Sequence, residues 1–194
     1  MSGALAIRPI AHGDIRALDS ALPEGPRGKH YDRAERQSLG LGTYLTAWDG
    51  DRPTGHLLIR WDGPSLEPMA SALPNCPELE DLFVDPRYRS MGIANALLEE
   101  AERRAASTGY ATIGLGVGLA PDYDIARALY LRRGYRHAGF PLYTVGWWEL
   151  DPVGKPRWWE EACEYLVKEL TPAPLIATAT QSPGTAFYPG CVRA

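Results

Sequence analysis

Residues 78–107 read ELEDLFVDPRYRSMGIANALLEEAERRAAS, and the spacing of their apolar side chains changes partway along. Glu78-Leu79-Glu80-Asp81-Leu82-Phe83-Val84 suits a strand, closed by Asp85-Pro86, because proline lacks the N–H that a ladder needs. From Gly92 to Ser107 the apolar positions Ile93, Leu97, Leu98, Ala101 and Ala105 fall on one stripe of a helix. Arg103 and Arg104 stand near its C-terminal end, where the helix dipole favours cations, and Thr108-Gly109 stops it. Residues 78–107 therefore predict strand, loop and helix in succession.

Downstream, Tyr110–Val117 reads as a strand, Asp124–Arg133 as a short helix ended by Gly134, and Tyr135–Leu150 as a strand bent at Pro141. Glu161–Leu170 is open to helix or strand, and the β-branched and aromatic core Tyr165-Leu166-Val167 favours strand. Upstream, Ala4–Ile10 is a first strand, Asp14 is placed to cap a short helix through Leu18, and Asp32–Leu39 is a second helix. Thr43–Trp48 and Pro53–Trp61 flank Asp49-Gly50 as a hairpin. Gly63–Pro77 is a long proline-rich loop. Strand, helix, strand from Glu78 implies a parallel pair with a crossover, and the earlier hairpin implies antiparallel neighbours. The fold class is mixed α/β, with one domain over residues 1–170 and a Pro/Thr/Ala-rich tail over 171–194.

The chain has 194 residues, 45% hydrophobic and 23% charged, with a net charge of -4. That is ordinary globular composition, and its mild acidity argues against sequence-independent nucleic-acid binding. Cys76, Cys163 and Cys191 lie far apart and His12, His30, His56 and His137 are scattered, so neither a disulfide framework nor a metal site is expected. No window approaches the roughly 20 apolar residues of a membrane span, and Met1–Ile10 lacks the apolar run of a signal peptide. The expectation is a soluble, cytoplasmic protein.

The loop between strand and helix carries the first chemical signal. The opening amides of a helix lack partners and bear partial positive charge, so they suit an anion. Gly92 has no Cβ and Ala94 a small side chain, which lets a phosphate approach the backbone; Arg87 and Arg89 add charge beside it. A plain strand-to-helix turn would look the same. Gly114-Leu115-Gly116-Val117-Gly118 has the wrong spacing and place for a dinucleotide fingerprint.

Arg89-Ser90-Met91-Gly92-Ile93-Ala94 resembles the R/Q-x-x-G-x-G/A signature of the GNAT acyltransferases. Ala126-Arg127-Ala128-Leu129-Tyr130-Leu131-Arg132-Arg133-Gly134-Tyr135 is similar to that family's A-x-x-L-Y-x-x-x-G-F/Y segment, at the right interval and across the right elements. The clear likeness spans Leu79–Gly139. It implies a mostly antiparallel sheet with a splayed parallel pair, acetyl-CoA or another acyl-CoA as co-substrate, and no metal. Arg89, Ser90, Met91, Gly92, Ile93 and Ala94 would hold the pyrophosphate, and the backbone of Leu82, Phe83 and Val84 the pantetheine. Tyr130 matches the family's general acid, with packing or sulfur binding as the alternative. Glu80 matches a glutamate base acting through water, with a merely solvated or ion-paired carboxylate as the alternative. Adjacent strand residues face opposite ways, so only one of Glu80 and Asp81 is expected to reach substrate. The family's frequent asparagine is replaced here by Tyr123.

The activity this implies is transfer of an acetyl group to a primary amine of a small molecule. Glu24, Glu35, Glu67, Glu80 and Asp81, if gathered near the cleft, would make that molecule cationic. A non-catalytic acyl-CoA-binding module and a protein N-terminal or lysine acetyltransferase are the alternatives. Trp147-Trp148 and Trp158-Trp159 fit strand packing, an acceptor pocket or a homodimer contact.

Overall fold

Period-two runs form the sheet and period-3.6 runs cover it. The computed structural model describes residues 5–23, 27–150 and 153–171, the side chains of 147–150 excepted. The tail assigned to 171–194 therefore lies outside the described residues from 172 onward, as do the side chains of Trp147 and Trp148. The chain runs β1 (Leu5–Pro9), α1 (Ile15–Ala21), α2 (Lys29–Ser38), β2 (Gly42–Asp49), β3 (Arg52–Arg60), α3 (Met69–Ala72), β4 (Glu78–Val84), α4 (Ile93–Ser107), β5 (Thr112–Gly118), α5 (Asp124–Arg132), β6 (Arg136–His137), β7 (Tyr143–Leu150) and β8 (Pro156–Glu169). The sheet order is β1-β2-β3-β4-β5-β8-β6, with β7 also pairing β8. Every pairing is antiparallel except β4 with β5. This is the expected mixed α/β sheet with one parallel pair.

The predicted stripe of α4 is its buried face: Ile93, Leu97, Leu98, Ala101 and Ala105 pack with Leu45, Leu57, Leu79, Ile113, Leu115 and Val117 from the sheet. On the opposite face, Leu18 and Leu22, the latter just beyond α1, meet Ile10, Tyr44 and Leu58.

Four local readings change. Asp14 does not cap α1: its carboxylate accepts from the Ala11 amide at 2.7 Å and binds the Arg8 guanidinium at 2.6 Å, holding the turn before the helix instead. The strand expected over Tyr135–Leu150 is two strands, because Pro141 cannot donate to a ladder. The last strand begins at Pro156, earlier than Glu161, since it pairs β7 beyond the edge of the main sheet. The long loop holds the single turn α3, seated by the buried Met69.

Two geometrical features shape the region around β4. Its pairing with β5 covers only Glu78 opposite Gly114 and Leu79 opposite Leu115, after which the strands part. On its other edge the register slips: Leu58 faces Glu80 but His56 faces Phe83, so Asp81 and Leu82 stand against Leu57 alone. This is a β-bulge, and Asp81 takes a φ of 57° at it.

Candidate acyl-transfer site

The gap opened by the parting of β4 and β5 leads into a cavity of about 680 Å³. Leu79, Glu80 and Leu82 of β4, Gly116, Val117 and Gly118 of β5, and Ala126 and Tyr130 of α5 border it. Beyond Leu79, the edge of β4 that faces the gap has no partner strand. Along Leu82–Val84 that edge is open to an extended ligand, except at the Val84 carbonyl, which accepts from Arg89 Nε. Their side chains divide: Leu82 and Val84 pack toward the α4 core, and Phe83 turns to the α1–α2 side.

The loop ahead of α4 leaves the start of the helix open. Ser90 and Gly92 both have positive φ, 63° and 85°, and no side chain caps the helix. The opening amides of α4 are therefore left for a ligand. A Cβ on Gly92 would meet nothing within 4 Å, so glycine is required by the left-handed backbone rather than by crowding. Arg89, Ser90, Met91 and Gly92 are exposed, while Ile93 is buried in the core. Arg87 does not serve the loop as expected. Asp85, itself buried, holds the Arg87 guanidinium at 2.5 Å. Arg89 stays beside the opening, its Nε donating to the Val84 carbonyl at 3.3 Å.

Tyr130 is 8% exposed and lies on the cavity wall. Burial pushes its hydroxyl up to about 12, further from a thiol than an unperturbed tyrosine. It remains protonated across the physiological range, which suits hydrogen bonding to a departing sulfur more than complete proton transfer.

Glu80 also lines the cavity, but its carboxylate receives Arg60 Nη1 at 2.8 Å. The same guanidinium bonds Asp62 and lies 3.3 Å from Glu78. Glu78, two residues before Glu80 on one face of β4, is the deeper group. Its side chain is 12% exposed against 34% for Glu80. Burial first, and the Glu80 charge second, push the Glu78 carboxyl up to about 7, with Arg60 opposing. A carboxylate that titrates near neutrality in a cavity is suited to general-base work. The period of the strand could have drawn Glu78 in beside Glu80; its burial could not be read from sequence. Asp81 also borders the cavity, because the bulge breaks the alternation expected of adjacent strand residues. Its carboxylate faces Lys29 at 4.0 Å and Arg33 at 3.8 Å.

The far wall comes from the hairpin. Gly114, Gly116 and Gly118 share one face of β5, and side chains fill the room they leave: Tyr165 over Gly114, Tyr143 over Gly116, and Glu161 with Tyr123 over Gly118. Tyr123, Tyr143, Glu161 and Cys163 line the cavity. Glu161 Oε1 is buried and has no hydrogen-bond partner among the described residues. Burial first and a hydrogen bond to the Glu161 carboxylate second push the Tyr123 hydroxyl up to about 12. Of the acidic residues proposed to gather here, only Glu80 and Asp81 do. Glu35 is exposed on α2, Glu67 is engaged with Ser71, and Glu24 lies outside the described residues. Trp158 and Trp159 are exposed at 46% and 38% and do not reach the cavity.

The family model for the acetyltransferase (GNAT) family matches residues 13–135. The chain belongs to the GNAT family. Solved structures share the GNAT fold at low identity. An N-acetyltransferase from Staphylococcus aureus Mu50 is 18% identical with a TM-score of 0.63, covering 87% of this chain and 100% of its own. The ribosomal-protein-S18-alanine N-acetyltransferase from Escherichia coli is 17% identical with a TM-score of 0.60, covering 90% and 99%. The PaiA N-acetyltransferase from Thermoplasma acidophilum, in complex with coenzyme A, is 15% identical with a TM-score of 0.58, covering 86% and 99%. The GNAT match ends at Tyr135, so β7 and β8, with the far wall of the cavity, lie beyond it.

Among the described residues no group of His, Cys, Asp and Glu could hold a metal ion. No helix among them is long and apolar enough to cross a membrane.

Proposed function

We propose that this GNAT protein transfers the acetyl group of acetyl-CoA to a primary amine of a small cationic molecule by direct attack. The observation that carries the reading is the cavity in the β4–β5 gap: it brings Glu78, Glu80 and Tyr130 to the same space, at the unpartnered edge of β4. The uncapped start of α4, with Arg89–Ala94, would hold the pyrophosphate, and the backbone of Leu82–Val84 the pantetheine.

Glu78 replaces Glu80 as the base in this reading. Arg60 holds both carboxylates, Glu80 at 2.8 Å and Glu78 at 3.3 Å, yet the deeper Glu78 titrates near neutrality and can take a proton from the amine, directly or through water. The amine nitrogen bonds to the thioester carbon, the carbon–sulfur bond breaks, and Tyr130 donates a hydrogen bond to the departing sulfur. Amides at the open edge of β4 can steady the carbonyl oxygen as charge develops on it.

The cationic acceptor follows from the wall. Carboxylates of Glu78, Glu80, Asp81 and Glu161 border the cavity, and among the described residues no lysine or arginine does. Arg60 offsets Glu78 and Glu80, and Lys29 and Arg33 offset Asp81. Glu161, which has no ion pair and whose Oε1 has no hydrogen-bond partner among the described residues, would meet a cationic group of the acceptor while holding the Tyr123 hydroxyl. The buried free thiols Cys76 and Cys163 accord with a reducing, cytoplasmic setting.

Incubation with acetyl-CoA, a panel of mono- and polycationic amines and a thiol reagent tests the proposal. Amine-dependent thiol release is expected. Coenzyme A binding in calorimetry with no release on any acceptor would instead make the chain a binding module.

A further inference from the structure

The cofactor edge of β4 exists in its present shape because of the bulge at Asp81, and the bulge has a support that lies outside the cavity. Asp81 holds a φ of 57°, a region that L residues other than glycine seldom occupy. Such backbone persists only where its surroundings hold it. Here the holder is His56, on β3, which is fully buried and stands opposite Phe83 across the slipped register.

His56 is pinned at both nitrogens. Nδ1 lies 2.8 Å from the Asp81 carbonyl oxygen, and Nε2 lies 3.3 Å from Lys29 Nζ. A carbonyl oxygen only accepts and a lysine ammonium only donates. Both ends therefore require the same neutral ring: Nδ1–H donating to Asp81, and Nε2 accepting from Lys29. Burial, followed by the Lys29 and His30 charges, takes His56 down to about 3, so the ring stays neutral. The ring plane is fixed as well, since it stacks on Phe83 at 5.5 Å between centroids and meets His30 edge-on at 5.4 Å. Lys29 opens α2 and is 6% exposed, so the strut reaches from that helix to β4.

Resting on the acetyl-CoA reading above, we propose that His56, braced by Lys29, is a positioning residue that clamps the Asp81 bulge and so holds the Leu82–Val84 backbone open to coenzyme A.

The proposal distinguishes His56 from a core residue that only fills space. An asparagine places an amide donor close to where Nδ1 stands and should preserve the clamp; leucine fills the volume without a donor. His56→Leu is expected to raise the coenzyme A Kd and the acetyl-CoA KM about tenfold, the scale of one lost buried hydrogen bond, with kcat at saturation within about twofold. His56→Asn should stay within about threefold of the parent. Adding Asp81→Gly to His56→Leu should recover much of the loss, because glycine adopts the left-handed backbone without a clamp. Nitrogen-15 NMR of the unliganded parent chain should show His56 as the Nδ1–H tautomer at pH 7, which holds even if the leucine variant fails to fold. An Nε2–H tautomer, or a folded His56→Leu chain that binds coenzyme A within twofold of the parent, overturns the clamp. A parent chain that binds no coenzyme A at all would refute the proposed function instead, and the tautomer would still decide the hydrogen bond.

Discussion

Glu78→Gln removes the ionisable group that the proposed mechanism uses as its base and keeps the shape of the side chain. The wild-type carboxyl sits at about 7 against the usual 4.5. That gap corresponds to about 3 kcal/mol, as an upper scale, between the two protonation states. The native chain keeps a proton through this interval that the unfolded chain has released. Stability should therefore fall as pH rises from about 4.5 to 7, by up to about 3 kcal/mol, and level off above. Glutamine carries no such proton, so this decline should be missing from the variant. Urea denaturation at pH 5 and pH 8 measures it: the variant should gain stability relative to wild type on going from the lower to the higher pH. In catalysis the signs reverse. The base is competent only when ionised, so wild-type kcat/KM should rise through about pH 7, and the variant should lose about 100-fold at pH 8 along with that limb. The acceptor's own ionisation affects both proteins alike and cancels in their ratio. A variant that keeps more than a third of the activity, while Glu80→Gln loses it, would return the base to Glu80.

Tyr130→Phe should lower kcat about tenfold and leave the calorimetric affinity for coenzyme A unchanged, because only a hydrogen bond to the departing sulfur is lost; equal turnover would reduce Tyr130 to packing. Gly92→Ala places a Cβ on a backbone at a φ of 85° and should cost about 1–2 kcal/mol, with a Tm several degrees lower in thermal melts and weaker coenzyme A binding. Glu161→Gln should raise KM for a cationic amine about tenfold with little change for acetyl-CoA, read from initial rates with each substrate varied; an equal rise for both would remove its selective role. Leu98→Ala, at a fully buried position of α4, should cost about 2–5 kcal/mol in urea denaturation while sparing the KM values of the folded fraction.

Residues 78–107 were legible because local signals there agree with tertiary ones. The stripe of α4 is the face that packs, and the bounds of β4 coincide with the Asp85-Pro86 stop. The bulge was not legible: nothing in Glu80-Asp81-Leu82 marks a left-handed residue, because aspartate is held there by His56 from another strand. For the same reason Glu80 and Asp81 do not divide cleanly between the two faces. Glu78 escaped notice because what singles it out is burial between β3 and β5, a property of the assembled sheet. The pairing of Arg87 with the buried Asp85 two residues earlier was not drawn from the sequence, since it depends on the turn that follows β4. The glycines of β5 carried a signal of spacing two, which excluded a nucleotide loop and left their purpose to be found in the tyrosines that occupy them.

That glycine stripe divides labour along the chain. Since β5 offers almost no side chains to its cavity face, the shape of the chamber there is dictated by the last-arriving hairpin and by Tyr123, at some remove from the donor-gripping segment. Under the proposed function, donor grip and much of the acceptor wall fall in separate stretches, 78–107 and 143–169, with Tyr123 and the β4 carboxylates between the two roles. An engineer could exchange the second while keeping the first: if the proposed function holds, replacement of Tyr143, Glu161 or Cys163 should retune which amine fits and leave coenzyme A affinity unchanged.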